Sequence, residues 1–163
     1  MSEKRFELSI PKSGWLDITI KDEETSIKFP VSYLCDPVYM LLNTFVILLE
    51  YKKRCTESQE YKWMPYPSIY FEGEGTDTYV TLGYNEIVVN VIKDNIYQSH
   101  AFLMDWEEIM KDVMGQLTDE YIEAYCNDWY DKDDADDIDG VDDASELKGL
   151  IRKVRDLQKI LEK

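Results

Sequence analysis

Asp36-Pro37-Val38-Tyr39-Met40-Leu41-Leu42-Asn43-Thr44-Phe45-Val46-Ile47-Leu48-Leu49-Glu50-Tyr51-Lys52-Lys53-Arg54 is the stretch that decides the fold. Aspartate suits the position before a helix, and proline suits the first helical position, where its missing N–H is not needed. Apolar residues lie almost all round the helix that follows, so it is expected to be buried against a sheet. Lys52, Lys53 and Arg54 are placed to complement the dipole near its C-terminus. The apolar run from Val38 to Leu49 is broken by Asn43 and Thr44. It is shorter than the roughly 20 residues that span a bilayer.

Upstream of this helix the period is two. Phe6, Leu8 and Ile10 alternate with polar residues, Pro11 to Gly14 make a turn, and Leu16, Ile18 and Ile20 alternate again. Ile27 and Phe29 begin a third strand, so the start reads as an antiparallel meander with one packed face. Downstream, Tyr61 to Met64, Ile69 to Phe71 and Thr78 to Leu82 read as further strands, and Glu86 to Ile92 as the clearest of all. From Ala101 the period changes. Phe102, Trp106, Ile109, Met110, Val113 and Leu117 mark an amphipathic helix, with a break near Gly115 and Thr118. Tyr121, Ile122, Tyr125, Cys126 and Trp129 continue the helical spacing. A last helix follows Ser145 on Leu147, Leu150, Val154, Leu157 and Leu161. The expected fold is α+β: one antiparallel sheet of six or seven strands, one buried helix after the first meander, and C-terminal helices. Residues 1–130 are expected to form a single domain, 131–144 an acidic loop or linker, and 145–163 a helix docked on that domain.

The 163 residues carry 34 acids and 18 bases, a net charge of −16. The excess is uneven. Residues 1–100 hold fifteen acids and ten bases, 101–145 hold sixteen and two, and 146–163 hold three and six. Such a chain is repelled by phosphates and anionic lipid, which argues against nucleic acid and membrane partners. Cys35, Cys55 and Cys126 form no C-x-x-C and read as reduced, mostly buried thiols. The charged start, MSEKRFELSI, does not read as a signal peptide, so a cytoplasmic protein is expected.

Catalytic patterns are sparse. His100 is the only histidine, and no G-x-S-x-G surrounds a serine. Gly73-Glu74-Gly75 lacks the third glycine of a phosphate-binding turn. Asp105, Glu108 and Asp112 share a helix face but read as solvated, opposite Phe102, Trp106 and Ile109. No enzymatic activity is expected.

Two constellations point to binding. Ala135 to Glu146 is similar to an EF-hand loop, with Asp137, Asp139, Asp143 and Glu146 at ligand positions and Gly140 at the turn. Ala135 stands where a ligating aspartate is wanted, and Asp142 where an apolar residue is usual. Calcium is therefore the one cofactor to weigh, against none. The other constellation sets aromatics among carboxylates: Trp106, Tyr125, Trp129 and Tyr130 beside Asp105, Glu107, Glu108, Asp128 and Asp131. Buried aromatic anchors within a charged patch are what a protein interface needs.

The order of elements adds a resemblance. A Trp-bearing strand (Trp15 to Ile20), then Ser32-Tyr33-Leu34-Cys35-Asp36-Pro37 opening an apolar helix, then Tyr61-Lys62-Trp63 and further strands, resembles a group of small uncharacterised bacterial proteins and the immunity proteins of polymorphic toxin systems. It covers residues 6–92 and implies a small α+β fold and a binding role without catalysis. It transfers no functional residue. The expected function is an acidic interaction protein, an immunity-type inhibitor that binds a basic partner such as a toxin, as a monomer or weak homodimer. The alternatives are a calcium- or metal-binding module and a DNA-mimic inhibitor of a nucleic-acid-binding protein.

Overall fold

Alternation of buried and open residues, and then its loss, lays out the architecture. The computed structural model describes residues 5–58, 65–129 and 143–162. β1 (Phe6–Leu8), β2 (Trp15–Lys21) and β3 (Ser26–Ser32) come first, followed by helix α1 (Pro37–Ser58). β4 (Ser68–Gly73), β5 (Thr76–Leu82), β6 (Ile87–Lys93) and β7 (Ile96–Phe102) form the second β region. Helices α2 (Trp106–Gln116), α3 (Asp119–Trp129) and α4 (Asp143–Leu161) close the order.

The class is α+β, but the strands do not make one sheet. They form two antiparallel sheets, ordered β1-β2-β3 and β4-β5-β6-β7. The division falls where β3 passes β4. Pro30 has no N–H, and pairing of Asp17 with Pro30 leaves that gap on the side of β3 away from β2. Side chains bridge the seam instead. Ser32 Oγ donates to the Glu72 carbonyl at 3.1 Å, and Glu72 N–H donates to Cys35 Sγ at 3.4 Å. Gly73 makes the approach possible, since a Cβ there would lie 2.7 Å from the Pro30 carbonyl oxygen.

Between and beside the sheets lies one continuous core. Phe6, Ile18 and Ile20 meet Leu41, Phe45 and Leu48 of α1, and Phe71, Val80 and Val89 of the second sheet. Asp36 starts α1 as its residue type requires: Oδ1 accepts the Tyr39 N–H at 2.8 Å. The helix runs on to Ser58, so Lys52 to Arg54 lie a turn short of its end and do not cap the dipole. It is also not buried all round, since Ile47 is half exposed. α4 places Leu147, Ile151 and Val154 in the same core, and Lys153 Nζ reaches Glu50 Oε1 on α1 at 2.8 Å.

A strand that the periodicity does not mark is β7. Its residues are open on both faces except Phe102, so no alternation reveals it. The helix expected from Ala101 starts only at Trp106. His100 accordingly sits in a strand, opposite Val89, rather than before a helix.

Candidate interaction surface

Four of the carboxylates that the sequence groups on α2 and α3 are committed to the backbone. Asp105 caps α2. Its side chain accepts the Glu108 N–H at 2.9 Å, and Glu108 Oε2 accepts the Asp105 N–H at 3.1 Å. Asp112 Oδ2 accepts the N–H groups of Arg5 and Phe6 at 2.6 and 3.0 Å. A turn later Gln116 accepts from Leu8 N–H and donates to the Phe6 carbonyl, both at 2.9 Å. The face read as solvated thus covers the open edge of β1. Asp128 accepts the N–H groups of Ser13 and Gly14 at 2.8 and 2.9 Å, fixing a turn in which both residues have positive φ. Glu107 Oε1 lies 2.6 Å from Lys52 Nζ, tying α2 to α1.

The aromatics face inward. Trp106 is 0% exposed, which corrects the expectation of a surface anchor. It shares the inward phase of Ile109, Met110 and Val113. Tyr121, Tyr125 and Trp129 stack in sequence along α3, with centroids 6.3 and 5.2 Å apart. Their polar ends bolt the helix to the loops beneath it. Tyr121 Oη donates to the Ser9 carbonyl at 2.9 Å, Tyr125 Oη to Asp36 Oδ1 at 2.8 Å, and Trp129 Nε1 to the Cys35 carbonyl at 3.1 Å. Trp129 is 8% exposed, so it too is a packing residue. Burial pushes the Tyr121 phenol far above its ordinary range. Tyr130 and Asp131 lie outside the described residues.

Of the EF-hand-like positions, Asp137 and Asp139 lie outside the described residues and Asp143 begins α4. Glu146 Oε1 accepts the Tyr39 hydroxyl at 3.0 Å, a bond that raises the phenol pKa and pins α4 to α1. Among the described residues, no three His, Cys, Asp or Glu side chains are grouped to hold a metal ion. Cys35, Cys55 and Cys126 form no disulfide among the described residues and are only half buried. Burial pushes the Cys35 thiol up.

Three carboxylates of α3, Asp119, Glu120 and Glu123, stand exposed over the buried Ile122 and Tyr125. The Glu120 carboxyl is held below the usual range by its own backbone N–H and by Thr118. A second acidic area lies on the outer face of the four-stranded sheet. The register brings Tyr70 beside Tyr79 and Glu72 beside Asp77. Tyr70 Oη donates to Asp77 Oδ1 at 2.7 Å, which pushes the phenol up to about 12. Beyond them Tyr97 donates to Asn90 Oδ1 at 2.7 Å. Glu72, Glu74, Asp77 and Asp94 rim a shallow bowl of about 600 Å³ floored by Leu34 and Ile92. Sequence reasoning missed this face. The signal that could have revealed it is Asp94-Asn95 directly after the strand ending at Lys93, a two-residue hairpin turn. No helix among the described residues is long and apolar enough to cross a membrane. No protein-family model, curated protein or solved structure matches the chain.

Proposed function

We propose that the chain is a non-catalytic interaction protein, an acidic inhibitor of the immunity type that docks onto a basic protein such as a toxin. The observation that carries this reading is the division of the acids. Asp105, Glu108, Asp112 and Asp128 cap α2 or hold other segments of the backbone, whereas Glu120 meets only its own N–H and Thr118, and Asp119 and Glu123 stay in solvent. Folding needs explain the first set and leave the second, together with the eight aspartates of residues 131–143, to be explained by recognition. Enzymes that grip phosphate are basic where they do so, and an acidic surface of this kind occludes them. Steering by such a surface speeds encounter by about 10–10³-fold at low salt and fades as salt rises.

The test is the association rate with the product of the neighbouring gene, measured at low and high ionic strength. The rate is expected to fall about tenfold or more with salt, and to fall similarly at low salt in the triple variant Asp119→Asn, Glu120→Gln, Glu123→Gln. A rate indifferent to both changes refutes the reading.

A further inference from the structure

The two sheets have four outer edges, and three are blunted. β1 is covered by Asp112 and Gln116. β3 carries Pro30 and Lys28 on its free side. β4 is engaged at Glu72 by Ser32 and Cys35. The fourth edge, β7, has seven residues, IYQSHAF, with no proline, no lysine and no carboxylate. Its hairpin turn, Asp94-Asn95, has φ of 51° and 62°, which makes Lys93 and Ile96 a hydrogen-bonded pair. Alternation from that pair aims the backbone N–H and C=O groups of Tyr97, Ser99 and Ala101 away from β6. Among the described residues nothing bonds to them.

A second observation lies beside this edge. On the inner side of β7, Ile96 is 61% exposed and borders a groove of about 310 Å³ lined by Ile27, Phe29, Pro30, Val91 and Gln98. A strand added to β7 would send alternate side chains into that groove and the others outward beside Tyr97. Main-chain pairing with side-chain pockets at every second residue is the arrangement of strand-addition sites. Charge selects the occupant. Asp94 closes one end of the edge, and Glu86, Glu23 and Glu24 stand exposed at the other, where Leu103 lies against Asp22. Among the described residues at this edge, Lys28 is held by Asp17 at 2.7 Å, and Arg5, which donates to the Leu103 carbonyl, is held by Glu108 at 3.3 Å, while Lys93 on the groove's lining has no such ion pair. Antiparallel pairing with a second copy would set Asp94 of each beside Asp22, Glu23 and Glu24 of the other, on chains of net charge −16.

We propose that β7 takes an extended cationic segment of the partner as a fifth strand, apolar residues inward and lysine or arginine outward. This rests on the functional reading above and names its docking edge. The probe is a capped nonapeptide alternating lysine and threonine with valine (Lys-Val-Thr-Val-Lys-Val-Thr-Val-Lys), followed on the full chain by amide NMR and hydrogen exchange. In the free protein the Tyr97, Ser99 and Ala101 amides exchange fast while Gln98 and His100 are protected. Saturating peptide slows the first three. Ser99→Pro, which removes an outward N–H and leaves the β6 ladder intact, weakens binding about tenfold or more, and Ser99→Lys weakens it without a backbone change. Protection of the three amides in the free chain, or no peptide shift up to millimolar concentration, overturns the proposal. Peptide shifts confined to Asp119, Glu120 and Glu123 and untouched by Ser99→Pro overturn the edge while leaving the cationic partner standing. Equal binding of the same peptide with glutamine for lysine overturns the cationic occupant, and a mass increase with concentration that Ser99→Pro abolishes replaces it with a second copy.

Discussion

Replacing Asp112 by alanine should unfasten β1. One carboxylate oxygen accepts two backbone N–H groups, from Arg5 at 2.6 Å and Phe6 at 3.0 Å, at partly buried positions. Hydrogen bonds to a charged acceptor are worth about 1.5–3 kcal/mol each where they are well shielded. Partial exposure reduces that value, and water can reach the freed N–H groups, so the pair together contributes about 2–3 kcal/mol. For a chain of this size that corresponds to a fall in Tm of about 4–10 °C. Asp112→Asn keeps an acceptor and loses the charge, so it should cost about half as much. Urea unfolding with linear extrapolation reads the stability. Hydrogen exchange at the Arg5 and Phe6 amides reads the mechanism. Because Gln116 holds β1 one turn further on, at Leu8 N–H and the Phe6 carbonyl, Asp112→Ala should loosen the strand rather than unfold the domain. A variant whose unfolding free energy falls by less than about 0.5 kcal/mol, with the two amides as protected as before, refutes the account of α2 as the cover of that edge.

Two further outcomes follow from named contacts. Trp129→Phe keeps the stack on Tyr125 but removes the donor to the Cys35 carbonyl, so it should cost about 1–2 kcal/mol in urea unfolding, whereas Glu123→Gln, exposed on the same helix, should cost under about 0.5. The Tyr70 phenol, raised to about 12 by Asp77, is protonated in the fold at a pH where the unfolded chain ionises. Its contribution is whole below pH about 10 and is lost as pH rises toward 12. Asp77→Asn should bring its ultraviolet titration back toward the ordinary tyrosine range.

The legible parts were those where burial leaves a period. β2 alternates without a fault from Trp15 to Lys21, and Asp36-Pro37 states a helix start in two residues. The inward phase of α4 could be read from Leu147 and Val154 alone. β7 was not legible because an edge strand open on both faces has no buried set to repeat. The two-sheet division was also hidden, since it depends on where β3 and β4 meet, and only Pro30 and Gly73 hint at it. At the surface the reading failed in a consistent direction. Carboxylates beside aromatics point to an interface, yet Asp105, Asp128 and Trp129 hold a helix start, a turn and a loop. Residue type showed that these groups need partners. It could not show that backbone N–H groups more than a hundred residues away, at Ser13 and Gly14, would supply them.

That failure sharpens the case for what is left. A polar side chain that meets a buried backbone group stabilises the fold, and a protein keeps it for that reason alone. Apart from the local contact of Glu120 with its own N–H and Thr118, the exposed acids of α3 have no such reason, and neither does an uncharged strand edge in a chain otherwise careful with its edges. Like charges at −16 raise the free energy of the compact state, and an open edge invites aggregation. Each feature is a liability by itself. Together they are complementary, because the charge that keeps copies of this chain apart at β7 is the same charge that draws a cationic strand toward it.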